Sequence, residues 1–323
     1  MRTIGIIGLL ALAAASMSVR AATIHEAVEY GDVDKVKEML DANGALINAR
    51  DGEFALTPLH VAAQRSSREM IEMLLSRGAD IEARSREAWT PLHQAAHSAN
   101  VPAAEALLDK GAAPNAKNDA GRTPLHLAVA GQRSHSDAIA ELLLARKADV
   151  NARDADGHAP LHLVRSRALA LLLLSKGADL KAADATGATP LHSAATFGNR
   201  DVAEALIEKG ANVKAADRSG RTPLHAAAQG GHGALVELLV AKGADLQAVD
   251  AKQWTALHSA AGGTWGPEAD HVEVARLLLA KGVEINARNL EHRTALDLAR
   301  EKGFQKLVAF LQEKGGKSGL PTE

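Results

Sequence analysis

The sequence predicts an all-α solenoid of about nine stacked helical units. Two observations lead there. A short motif recurs in phase along almost the whole 323-residue chain. The composition also suits a thin aliphatic core, since 46% of residues are apolar but only 2% are aromatic. Such a core rests on Leu, Ala, Val and Ile rather than on large rings. The absence of cysteine excludes disulfides, thiolate metal sites and a cysteine nucleophile. The formal net charge is −2, with no basic block of the kind that tracks phosphates, so no nucleic-acid partner is expected.

Residues 1–21 are set apart from the rest. Met1-Arg2 gives a positive start, and residues 4–15 form an apolar run without a charge. The small residues of S-M-S-V-R-A-A follow, with Val19 and Ala21 at the −3 and −1 positions of a signal-peptidase site. This is the layout of a secretory signal, and the run is short for a membrane span. Cleavage after Ala21 removes Arg2 and Arg20. Lys+Arg then falls from 37 to 35 against 39 Asp+Glu, a mature charge near −4. The Ala-rich signal has a bacterial character. The expected location is the periplasm or the exterior, with no membrane anchor after cleavage.

The repeat comes next. T-P-L-H stands at 57–60, 90–93, 123–126, 189–192 and 222–225. Weaker copies are A-P-L-H at 159–162, T-A-L-H at 255–258 and T-A-L-D at 294–297, with a degenerate A-T-I-H at 22–25. From Thr57 onward the steps are 33, 33, 36, 30, 33, 33 and 39 residues. Nine units then fill residues 22 to about 313. Within one unit, Thr222 suits a helix N-cap and Pro223 the first helical position, where no amide donor is needed. Leu224, Ala227 and Ala228 make a narrow apolar face, and Gly230-Gly231 ends the short helix. Leu235, Leu238 and Leu239 repeat at helical spacing on a second helix, which Gly243 ends in a left-handed conformation. Two helices this short are unstable alone and persist only if each unit covers the next.

The motif T-P-L-H-x-A-A, the L-L-x-x-G-A-D that follows it and the 33-residue period together resemble the ankyrin repeat, over about nine-tenths of the chain. The resemblance implies stacked helix–turn–helix units with a β-hairpin finger between them. It implies that the motif histidines His60, His93, His126, His162, His192, His225 and His258 are structural, with His25 at the same place in the first copy. It also implies a concave groove, lined by finger tips and first helices, that binds another protein.

Four departures stand out. The fifth unit is three residues short and lacks the capping Thr, so its first helix should be clipped. Units four and eight carry extra residues at 131–136 and 262–270, both at the turn between helices. Lys147 stands where other middle units have Gly. The end units read as polar caps, and residues 314–323 are expected to be disordered.

No catalytic pattern emerges. The histidines outside the motif, His97, His135, His158, His232, His271 and His292, belong to different units and share no metal-ligand spacing. G-G-K-S at 315–318 is similar to the end of a phosphate loop, but Leu311 stands where its leading glycine belongs. No cofactor and no catalysis are expected. What remains is a surface. Phe54, Trp89, Arg122, His158, Arg218, Arg221, Lys252, Trp254 and Arg293 fall on fingers, and Trp265 lies in the 262–270 insertion. Trp and Arg are favoured interface anchors. The Trp before the motif has an equally good structural use, covering the Thr-Pro turn. The reading is a monomeric, non-catalytic scaffold that binds a partner protein. The alternative is a small-molecule or metal site in a cleft near 262–270.

Overall fold

The computed structural model describes residues 23–131, 135–263 and 266–320. The expected signal at 1–21 and Trp265 lie outside these. Among the described residues the chain is helical throughout, in nine consecutive pairs. The first four pairs are α1 (Ile24–Glu29) with α2 (Val33–Ala42), α3 (Pro58–Arg65) with α4 (Arg68–Ser76), α5 (Pro91–Ser98) with α6 (Val101–Asp109), and α7 (Pro124–Ala130) with α8 (Ser136–Ala145). Then come α9 (Pro160–Leu163) with α10 (Arg167–Ser175), α11 (Pro190–Thr196) with α12 (Arg200–Glu208), and α13 (Pro223–Gln229) with α14 (Gly233–Ala241). The last are α15 (Ala256–Ala261) with α16 (Glu268–Ala280), and α17 (Ala295–Lys302) with α18 (Gln305–Glu313). First helices pack on first helices and second on second, which makes the stack.

The core follows from the repeat. Leu59, Leu92, Leu125, Leu161, Leu191, Leu224, Leu257 and Leu296 form one fully buried column, and the alanines three residues on bring neighbouring first helices close. In the fifth unit Val164 stands in for that alanine just past the end of α9, which is only one turn long.

The fingers occupy the expected place of the hairpins, but no strand forms among the described residues. Each finger is a tight turn, with one backbone hydrogen bond across its base, such as Asp217 N–H to Arg221 C=O at 2.9 Å, and in most a second inside the turn, such as Gly220 N–H to Asp217 C=O at 2.9 Å. One more bond stitches most tips to the finger before, as from Arg218 N–H to Thr186 C=O and from Ala251 N–H to Ser219 C=O. A strand needs a run of such bonds, and a single rung at each level does not provide one.

Both ends differ from expectation. In the first unit the helix cap is Thr23, one residue later than the A-T-I-H alignment places it. The motif histidine's two tasks are divided there: Glu26 accepts from the Thr23 N–H, and His25 Nε2 reaches the Leu56 carbonyl at 2.9 Å. At the other end residues 314–320 are not a disordered tail. Lys317 N–H donates to Asn286 Oδ1 at 2.7 Å, Thr294 Oγ1 donates to the Lys317 carbonyl at 2.8 Å, and Gly319 N–H donates to Asp297 Oδ2 at 2.8 Å. A Cβ at Gly319 would lie 2.0 Å from the His292 carbonyl, so only glycine fits this approach. Asp297 stands where the motif has His, and the exchange is why the tail docks: a carboxylate accepts the tail's N–H where a histidine would donate. Burial alone would raise the Asp297 pKa. The Thr294 and Gly319 N–H groups, together with the Ser318 and Thr294 side chains, outweigh it and hold the carboxyl below its ordinary range.

Lys147 has φ +66°, in the left-handed region that Gly78, Gly111, Gly177 and Gly243 occupy at the same register. Open space surrounds those glycines, so the strain at Lys147 is in the backbone rather than in side-chain crowding. A left-handed non-glycine residue costs about 1–2 kcal/mol. Lys147→Gly is therefore expected to raise stability by about 1 kcal/mol, after allowing for glycine's greater unfolded-state entropy. An unchanged or lower urea midpoint would refute this.

Candidate functional site

The site is built on the motif histidines, because they place the fingers. In seven units the ring lies buried between neighbours. Its Nδ1 accepts the N–H of the cap residue three positions back, at 3.1–3.2 Å. That bond requires a lone pair on Nδ1, so the proton sits on Nε2. Nε2–H then donates to the carbonyl of the residue that precedes the next unit's motif, at 2.8–3.2 Å. The same carbonyl already closes its own finger, so both of its lone pairs are used: Trp254 C=O accepts from Asp250 N–H at 3.0 Å and from His225 Nε2 at 2.9 Å. His225 and its equivalents thus join units and have no free nitrogen for chemistry.

Burial is the largest influence on these rings and disfavours the imidazolium. All seven are held below the ordinary histidine pKa, His93 down to about 4.

The residues preceding the motif, Trp89, Arg122, His158, Ala188, Arg221, Trp254 and Arg293, stand at the base of successive fingers. The structure gathers the expected surface residues into three notches. Phe54 and Trp89 border a cavity of about 540 Å³ with Gln64, Gln94 and His97. Phe54 is half exposed, and the Trp89 ring meets His97 edge-on at 5.3 Å. His158 and Arg221 border a second cavity of about 260 Å³, and Arg221 and Trp254 a third of about 380 Å³. Trp254 also does structural work, since its ring fills the space a Cβ at Gly262 would need. Several expected residues are bound within the chain: Arg122 Nε lies 3.5 Å from Asp154 Oδ2, and Arg293 pairs with Glu301 and Glu291. Arg218 donates to the Ala185 carbonyl.

The expected alternative near 262–270 finds no support. None of the three cavities includes a residue of that insertion. Its described part extends α16 by a turn, and Glu268 Oε1 accepts the Leu307 N–H at 3.1 Å, capping α18. His271 lies inside α16, fully buried and stacked on Phe304 at 5.1 Å. Asp154, Asp156 and His158 form the single metal-compatible cluster among the described residues. It lies on a distant finger, and Asp154 Oδ1 there accepts two backbone N–H groups.

Sequence reading missed the aspartates that fold the fingers, Asp184, Asp217 and Asp250, and the floor of the groove. The residue after the motif histidine forms that floor. It is Val61, Gln94, Leu127, Leu163 and Leu298 in some units but Ser193, Ala226 and Ser259 in three consecutive ones. Those small letters mark the floor of two of the three notches.

Comparison with known proteins agrees with this architecture. The family model described as Ankyrin repeats (3 copies) matches in overlapping windows from 24–118 to 234–319. Similar stretches occur in the ankyrin repeat protein FPV240 of fowlpox virus (strain NVSL), 46% identical over 59 residues, 18% of this chain and 14% of that protein. They also occur in the 2-5A-dependent ribonuclease of Homo sapiens, 44% identical over 55 residues, 17% of this chain and 7% of that protein. A third is the BRCA1-associated RING domain protein 1 of Caenorhabditis elegans, 40% identical over 62 residues, 19% of this chain and 9% of that protein. In each case the match covers well under a fifth of the relative's length.

The lowered histidine pKa values fix the sign of the pH dependence. Below about pH 6.5 the unfolded chain binds protons that the folded chain refuses, so stability is full above that pH and falls toward about pH 4. Each fully refused proton is worth about 1.4 kcal/mol per pH unit. The slope of unfolding free energy near pH 5 is expected to correspond to several protons. A slope of one proton or fewer would show that the rings charge freely while folded.

Proposed function

Since the chain belongs to the ankyrin-repeat family, we propose that it is a non-catalytic scaffold that binds a partner protein through its concave groove and finger tips. Ankyrin repeats are generally protein-interaction modules, and among the described residues no helix is long and apolar enough to cross a membrane. The observation that carries the reading is the run of notches along the finger bases, where aromatic faces and charged groups stand half exposed on a backbone held rigid by the histidine bonds. A preformed groove avoids much of the ordering cost of association. In this reading the scaffold acts as a monomer outside the cytoplasm, after removal of residues 1–21.

Two measurements test it. Partner retained by the immobilised chain is expected to weaken about 30-fold for Phe54→Ala or Trp89→Ala, the value of an interface anchor worth about 2 kcal/mol, at an unchanged melting temperature. Retention unaffected by both would place binding elsewhere. The intact mass of the secreted chain is expected to begin at Ala22, and a mass that includes residues 1–21 would remove the proposed location.

A further inference from the structure

Along the groove the chain forms a ladder of side-chain contacts to finger carboxylates that stops midway. Where an aspartate folds the finger it spends one oxygen on the turn: Asp217 Oδ1 accepts from Ser219 N–H at 2.8 Å and Arg221 N–H at 3.0 Å, and Asp250 Oδ1 accepts from Lys252 N–H at 2.8 Å and Trp254 N–H at 2.9 Å. The second oxygen is left for the residue preceding the previous unit's motif. Arg122 Nε lies 3.5 Å from Asp154 Oδ2, and His158 Nε2 lies 3.4 Å from Asp184 Oδ2. The next two rungs are missing. Ala188 has no group to offer Asp217, and Arg221 is turned onto Gln229 Oε1 rather than onto Asp250. Asp217 Oδ2 and Asp250 Oδ2 have no hydrogen bond or ion pair among the described residues, and each borders one of the two adjoining cavities. The floor beneath these cavities is the small-residue stretch Ser193, Ala226 and Ser259.

We propose that this part of the groove seats an extended cationic segment of the partner protein, with two Arg or Lys side chains three residues apart completing the rungs at Asp217 and Asp250. The proposal rests on the groove reading and names the chemistry of its occupant. Stacked helices lie about 8–10 Å apart, which sets the spacing of successive rungs. A polyproline-II segment rises about 3.1 Å per residue with three residues per turn, so positions i and i+3 face one way about 9 Å apart. Arg122 on Asp154 is the chain's own example of a guanidinium seated at this register. Arg221 and Lys252 also border the cavities and would repel the ligand, Arg221 the more so because it stands between the two carboxylates.

The test uses the full chain and fluorescein-labelled synthetic peptides. One is proline-rich with Arg at i and i+3, a second has Arg at i and i+2, and a third has Glu in place of both Arg. Fluorescence anisotropy is expected to show the first binding about tenfold tighter than either of the others, the scale of one charge-assisted contact. Asp217→Asn and Asp250→Asn are each expected to weaken it by about the same factor. Both variants keep the finger, because Asn118 and Asn289 already fold theirs through the same oxygen. Arg221→Gln is expected to tighten the Arg peptide. The proposal is overturned if the Arg peptide does not bind, if Glu serves as well as Arg, if the aspartate variants leave binding unchanged, or if Arg221→Gln weakens it. Any of these, with partner retention still lost in Trp89→Ala, removes the cationic occupant and leaves the groove reading standing.

Discussion

One hydrogen bond organises the molecule: Nε2–H of a buried motif histidine to the carbonyl that begins the next unit. The ring reads two structures at once. Its Nδ1 holds the N-terminus of its own first helix, and its Nε2 holds the neighbour's finger. A buried carbonyl with one lone pair unmet would cost about 1–3 kcal/mol, so each interface depends on the ring being present, neutral and in one tautomer. Helices of four to thirteen residues have little stability of their own. The stack accumulates instead as a sum of such nearest-neighbour terms over a thin aliphatic core.

The same bond decides where the surface is. Because the carbonyl that receives it belongs to the residue preceding the motif, that residue's side chain is fixed at the base of the finger beside the next finger's aspartate. Identity at this one register then sets the local character of the groove. Trp89 and Trp254 give aromatic walls, Arg122 and His158 satisfy the neighbouring carboxylate, and Ala188 opens a notch. The groove's chemistry is a sequence of choices at one position, written on a backbone that does not change.

The ends show the same logic with its polarity inverted. Where earlier units meet a finger carbonyl, the ninth meets the docked tail, which presents the Gly319 N–H. Asp297 meets it with a carboxylate, and Asn286 accepts from Lys317 as Asn151 accepts from Asp179 one level at a time further back in the stack. The insertion at 262–270 serves the same end of the molecule, since Glu268 caps α18.

The sequence by itself determined the period, the helix pairs, the clipped fifth unit, the structural rather than chemical role of the histidines and the left-handed Lys147. All of these rest on bonds between residues a few positions apart, or on a pattern repeated often enough to supply its own control. Tertiary structure alone decided the rest. The docked tail was invisible because G-G-K-S-G has the composition of a loose end, and its order comes from Asn286, Thr294 and Asp297 across the fold. Thr23 takes the first cap because Glu26 can divide the motif's work with His25. The fate of each aspartate's second oxygen depends on which way a side chain one unit away turns: Arg122 and Arg221 share a register, yet one reaches a carboxylate and the other an amide. A periodic sequence encodes the lattice, and the contacts across it are settled only when neighbouring side chains compete for the same partner.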